Sequence, residues 1–202
     1  MYTPPIMSPG PQIQFDREEV LEKAMRLFWE NGYEATGMSV LLDHVGIGRQ
    51  SLYNTFGDKR SLYIATLDHY FRTRGGPLMA QLRSPGSPMG NIKTVFRMWE
   101  TMAEDNHFCG CLLGNCAAEL AHTDPEIADR IGSYIQVLED GFHDTLVQAR
   151  DQGEISDRHD PRDLARNVIN MIQGMALMSK VIRDTDVTKS VLRSSLRILQ
   201  AA

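Results

Sequence analysis

The sequence predicts an all-α chain of about nine helices. Apolar residues recur at helical steps in segment after segment, and no stretch alternates apolar and polar residues over a useful length. Helix-start signals punctuate the chain at Asp16 with Glu19, at Ser87-Pro88, at Asp124-Pro125 and at Asp160-Pro161. Glycines stand where the stripes stop, at Gly32, Gly46 and Gly153. At 202 residues the chain is one or two domains, long enough to bury a full core.

Residues 1–14 are rich in proline and hold no Lys or Arg, the composition of a mobile arm. Helix one is expected from Asp16, with a capping box to Glu19 and a staple of Phe15 on Val20. Its stripe is Val20, Leu21, Ala24, Leu27 and Phe28, and Asn31-Gly32 ends it. From Thr36 to Val45, residues Val40, Leu41 and Val45 supply a face to bury. Gly46 can take the left-handed conformation that closes a helix, and Gly48 can cap the next one. That next helix spans Arg49 to Thr55, with Ile47, Leu52 and Phe56 facing inward, so the pair reads as a helix-turn-helix.

A fourth helix is expected from Asp58 to Arg74, interrupted by Gly75-Gly76-Pro77. A short helical piece and the loop Ser84 to Pro88 follow, then a helix capped by Ser87 that ends near Asn106. Gly110 introduces a buried helix over Cys111 to Ala121. A long helix runs from Pro125 to Gln152, another from Pro161 to Ile182, and a last one from Val187 to Gln200.

The outward residues of the third helix are Arg49, Gln50, Ser51, Tyr53, Asn54 and Thr55. Arginine suits guanine, the amides suit adenine, and the hydroxyls suit backbone oxygens of DNA. Thr36 and Lys59 stand at the edges of the motif as candidates for phosphate contacts. Thr36, the run Gly46-Ile47-Gly48-Arg49-Gln50-Ser51-Leu52-Tyr53, Phe56 and Lys59 closely resemble the N-terminal domain of the TetR family of bacterial repressors. The resemblance runs from about Phe15 to Tyr63. Gly37 departs from it where the family often has a Ser or Thr cap, and Leu42 departs where a small Ala is usual. The resemblance implies a DNA-binding head over 15–62, and a ligand-binding and dimerising body over 63–202. It also implies a double-stranded, pseudo-palindromic operator and a small-molecule effector whose identity is open. A fourth helix linking head to body would move the head.

In the body, the helix from Leu164 to Ile182 is apolar nearly all round and needs cover on two sides. Leu164, Val168, Met175, Met178 and Ile182, with Val191, Leu192, Leu196 and Leu199 of the last helix, are expected to form a twofold four-helix homodimer interface. A mostly apolar pocket is expected from Phe96, Trp99, Met102, Cys111, Asn115, Tyr134, Phe142, Met171 and Met175. The wording around Gly110-Cys111-Leu112 and Asn115 to Leu120 also resembles a TetR branch that includes sensors of electrophiles and oxidants. In that branch a cysteine at the position of Cys111 can be the reactive thiol. Cys111 near a helix N-terminus, with Lys180 folded close to it, would favour the thiolate.

The net charge of −5 argues against a nonspecific, charge-driven nucleic-acid binder and leaves a specific one open. No apolar run reaches the ~20 residues of a membrane helix, and no secretory leader is legible, so a cytoplasmic location without membrane contact is expected. A zinc site from Cys109, Cys111, Cys116 and His122 lacks the usual paired spacing, and no cofactor is expected. Motifs for hydrolase, metalloprotease or phosphate-loop chemistry are missing, so no enzyme activity is expected. A dimeric helical adaptor without DNA binding is the alternative, and a small helical enzyme a remoter one.

Overall fold

The computed structural model describes residues 15–104, 109–182 and 184–201. The arm over 1–14 and the expected helix end near Asn106 lie outside the described residues. The described residues form α1 (Arg17–Asn31), α2 (Met38–Val45), α3 (Arg49–Phe56) and α4 (Lys59–Tyr70). A π-helical turn (Phe71–Gly75) leads into α5 (Gly76–Leu82) and α6 (Pro88–Ala103). Then come α7 (Leu112–Leu120), α8 (Pro125–Asp151), α9 (Pro161–Met178) and α10 (Thr185–Ala201).

The starts follow the caps. Asp16 accepts from the Glu18 N–H, Ser87 from Gly90, Asp124 from Ile127, and Asp160 from Arg162 and Asp163. Glu19 is drawn one turn onward, to Lys23 at 2.6 Å, so the expected reciprocal box is replaced by a cap plus an ion pair. Two other expectations change. Gly75-Gly76-Pro77 does not break the helix. The Gly76 N–H reaches back to the Phe71 carbonyl, and this wider turn lets Pro77 enter at the first turn of α5, where its missing donor costs little. α9 stops at Met178, short of Ile182, where the Ser179 hydroxyl bonds back to the Ala176 carbonyl at 2.9 Å.

Two apolar clusters organise the chain. One joins α5, α6, α8, α9 and α10 around Ile92, Phe96, Phe142, Leu146 and Leu192. The other holds α1 to α4 together through Leu21, Phe28, Leu41, Leu52, Leu62 and Tyr63, and continues into Leu112, Leu113 and Cys116 of α7 and Ile127 and Ile131 of α8. Phe28 meets Tyr63 edge to face at 4.9 Å. The apolar packing therefore runs across residue 62 rather than stopping there.

Polar ties reinforce this joint. The Glu119 carboxylate of α7 accepts from the Tyr33 and Glu34 N–H groups at 3.1 and 2.8 Å. Arg60 grips Asp124 with two bonds of 2.8 and 2.9 Å and reaches Glu126 at 2.7 Å. Arg130 donates to Asp68 at 2.6 Å, and the Tyr134 hydroxyl also donates to Asp68.

These partners hold several carboxyls below the usual range. Asp124 is held down by Arg60, Glu18 by Arg72, Asp58 by the Ser61 N–H, and Asp140 by Arg162. A carboxyl lowered in the fold contributes stability above its unfolded pKa and loses it as pH falls through the folded value. The urea midpoint is expected to stay level from pH 7 to 5 and to drop on acidification below about pH 4. A midpoint unchanged from pH 7 to 3 would remove these carboxyls from the stability of the fold.

Candidate nucleic-acid interface

The helix-turn-helix is built as its sequence suggests. Gly46 takes the left-handed conformation at φ 75°, and Gly48 is extended and caps α3. Leu41 and Val45 of α2 and Leu52 and Phe56 of α3 are buried against α1 and α4. Those anchors turn Arg49, Gln50, Tyr53 and Asn54 outward, with Ser51 and Thr55 half-buried at the margins. Gln50 Nε2 donates to Asn54 Oδ1 at 2.9 Å, so two amides sit one turn apart in a fixed relation on the exposed face. Val40 is 57 % exposed rather than buried. It lies one residue from Leu41, about 100° round an eight-residue helix whose inward row is already set by Leu41 and Val45.

Two of the expected contact residues stand behind this face. Thr36 is buried, and its hydroxyl donates to the Gly32 carbonyl at 2.6 Å. Lys59 turns inward, donating to the Tyr33 carbonyl at 2.6 Å with its ammonium 4.1 Å from the Tyr33 ring centre. Asp58 caps α4 by accepting from the Ser61 N–H. The start of α4 is thus occupied from within the protein. Arg17 is the residue the sequence did not flag. Its guanidinium lies 5.3 Å from the Phe56 ring centre, which sets an exposed cation beside the end of α3. Only the folding of α1 across α3 brings it there, so no spacing in the sequence could reveal it.

Behind the head lies a partly enclosed cavity of about 80 Å³. Of the residues named for a pocket, Trp99, Met102, Cys111, Phe142 and Met175 line it, together with Trp29, Tyr70, Phe71, Arg74 and Gln173. An open groove of about 590 Å³ runs beside it between α1, α7 and the end of α9, and it holds Asn115, Lys180 and one side of Cys111. Phe96, Tyr134 and Met171 line neither. Phe96 packs on Trp99 in the core at 5.3 Å, Tyr134 stacks on Phe71 at 4.5 Å, and Met171 lies at the edge of the body cluster. Trp29 lies on α1, which the sequence places wholly in the head, while Tyr70, Phe71 and Arg74 lie on the linking helix and the turn after it, which the sequence reads as a connection rather than a wall.

Cys111 is the N-cap residue of α7. Its Sγ receives the Tyr70 hydroxyl at 3.9 Å and Gln173 Nε2 at 3.6 Å. Burial raises the Tyr70 phenol well above its ordinary value, so it stays a neutral donor. Burial also pushes the Cys116 thiol up to about 11, which marks it as a core thiol. Lys180 is exposed, in the turn after the Ser179 cap rather than inside an apolar helix. Its Cε passes close to Gly110, whose φ of 80° and lack of Cβ let the chain lie against the Ala176 carbonyl. Among the described residues no group of His, Cys, Asp and Glu is placed to hold a metal ion.

The expected interface residues divide. Leu164, Val168, Met175, Leu192 and Leu199 are buried within the protomer, and Val191 and Leu196 are half-buried. α9 lies on α8 and α7, and α10 lies on α6 and α9, so those rows face the protomer's own core. The apolar residues left to solvent are Leu177, Met178, Val181, Ile182, Val187 and Ile198, from 38 to 80 % exposed.

Residues 20–66 match the family of bacterial regulatory proteins named for TetR, and residues 88–195 match the tetracyclin repressor-like C-terminal domain. The chain is 34 % identical over 192 residues to an uncharacterised HTH-type transcriptional regulator, YezE of Bacillus subtilis (strain 168), covering 94 % of this chain and 99 % of the relative. It is 30 % identical over 192 residues to the HTH-type transcriptional repressor ComR of Escherichia coli (strain K12), covering 91 % and 89 %. Its fold superposes with a TM-score of 0.83 on a cysteine mutant of the TetR family regulator CifR complexed with a 26-base-pair operator DNA, at 22 % identity over 94 % of this chain and 98 % of that one. Reduced E. coli NemR gives 0.80 at 19 % identity, over 89 % and 94 %. The two family matches span more than half of the sequence and the two relatives run nearly its full length, so the chain belongs to the TetR family of bacterial helix-turn-helix transcriptional regulators.

Proposed function

We propose that this chain is a homodimeric repressor, released from its operator by a small molecule in the body or by modification of a thiol. The observation that carries the reading is the third helix. Four polar side chains stand outward on it, three of them suited to base edges, while Leu52 and Phe56 lock the opposite side into the core. In this reading residues 15–62 bind DNA and 63–202 bind effector and partner. Arg49 and the Gln50–Asn54 pair read base edges, and Ser51, Tyr53 and Thr55 meet the backbone. Arg17 takes the phosphate role first sought at Lys59. The start of α2 supports a second phosphate contact, since its cap Gly37 offers no side chain to the first-turn N–H groups.

A dimer places two reading helices in successive major grooves about 34 Å apart. The apolar strip of Leu177, Met178, Val181 and Ile198 supports a partner copy packed there. A DNA-bound regulator of this kind works in the cytoplasm and performs no catalysis. The place of Cys111, at the wall shared by cavity and groove, supports a thiol route to release. An effector by either route acts only through a difference in its affinity for the DNA-bound and free arrangements.

Gel shifts with the DNA upstream of the chain's own gene test the reading, and failure to bind that or any other duplex overturns it. Arg49→Ala is expected to weaken operator binding by ~1–3 kcal/mol, and an unchanged affinity removes Arg49 from the readout. Ile198→Glu is expected to give a folded monomer in analytical ultracentrifugation; an unaltered dimer places the interface elsewhere. A mild electrophile is expected to release wild-type protein from DNA and leave the Cys111→Ser variant bound. Equal release of both would return Cys111 to a purely structural role.

A further inference from the structure

The partly enclosed cavity presents side-chain hydrogen-bond donors from Tyr70, Arg74 and Gln173. The Tyr70 hydroxyl directs its proton to the Cys111 sulfur. Gln173 Nε2 points at the same sulfur. A thiol sulfur is a weak acceptor, and contacts of 3.9 and 3.6 Å leave both donors free to turn to a better one. Arg74 is the one cation among the described residues that line the cavity, and no carboxylate lines it. Four rings, Trp29, Phe71, Trp99 and Phe142, share the walls with aliphatic side chains that include Leu78, Leu138, Ile169 and Ile172. The space holds roughly five to eight water-sized groups.

Arg74 already has a carboxylate partner outside the cavity. Its Nη2 donates to Glu22 Oε1 of α1 at 3.2 Å. Glu22 does not depend on it, since Arg26 Nε donates to the same oxygen at 2.9 Å and His69 Nε2 lies 2.9 Å from Oε2. Arg74 can therefore leave Glu22 without stranding a buried charge.

We propose that the cavity binds a small planar monocarboxylate, gripped by Arg74 with Tyr70 and Gln173 as further donors, and that this ligand displaces Glu22 from Arg74. The exchange loosens α1 from the turn that ends α4. This names the effector class for the repressor reading above and rests on that reading only for its consequence at DNA.

The test uses the full chain without DNA. Both tryptophans of the sequence line the cavity, so their fluorescence reports its occupancy. The probes are 2-furoate and its neutral isostere 2-furamide. Furoate is expected to give a saturable change, with the amide at least tenfold weaker. Arg74→Met is expected to weaken furoate at least tenfold and leave the amide unaffected, with circular dichroism confirming a folded chain. Glu22→Gln, which removes the competing charge, is expected to tighten furoate several-fold. It keeps the proposal testable if the Arg74 variant does not fold, and a purely structural Glu22 would not produce this gain. Equal binding of the two probes, no saturable change with furoate, or weaker furoate binding in Glu22→Gln overturns the proposal. Operator binding in the absence of furoate tests the repressor reading separately.

Discussion

The packing of Tyr63 and Phe28 against Leu112, Leu113 and Cys116 is the contact on which the rest of the structure depends. α2 and α3 are eight residues each, far below the length at which an isolated helix persists in water. They hold their angle only because Leu41, Val45, Leu52 and Phe56 are buried on α1 and α4. α1 and α4 in turn rest on α7 and the first turns of α8. The four N-terminal helices thus share one continuous packed cluster with α7 and the start of α8, in which close packing leaves little room for one element to shift without its neighbours.

Electrostatics follow the same joint. Glu119 fixes the turn before α2 from the far end of the helix that Cys111 begins. Arg60, Asp124 and Glu126 clamp α4 to α8, and Glu18 and Glu22 hold Arg72 and Arg74 against α1. Most of these pairs are partly exposed and each adds little to stability alone. Their shared placement matters more, because they fix how α1, α4 and α8 meet.

The helices were legible because caps, stripes and stops are local. Asp16, Ser87, Asp124 and Asp160 each cap the helix they announce. The outward face of α3 was legible for the same reason, since its buried anchors and its exposed residues lie within one eight-residue segment. What escaped depends on contacts between distant segments. Lys59 turns to Tyr33, Arg17 to Phe56, and Trp29 and Arg74 to a cavity that seemed to belong to other helices. The interface rows divide for a related reason, with Met178 and Ile182 at the surface and Leu164, Val168, Met175, Leu192 and Leu199 buried in their own chain. A helix apolar on two sides shows that both are covered, but periodicity does not say which side meets its own chain.

The π-helical turn has a geometric effect of its own. Five residues from Phe71 to Gly75 wind more loosely than an α-helix, as if one residue had been slipped into a continuous rod. The slip sets the helical phase of α5 back by roughly 100° relative to α4, one residue's share of a turn. Leu78, Met79 and Leu82 can thus face the body core while Leu62, Tyr63 and Leu67 face the head core, although the backbone stays helical throughout. One nearly unbroken shaft serves two cores that point in different directions, and the loose turn is the joint that lets it do so.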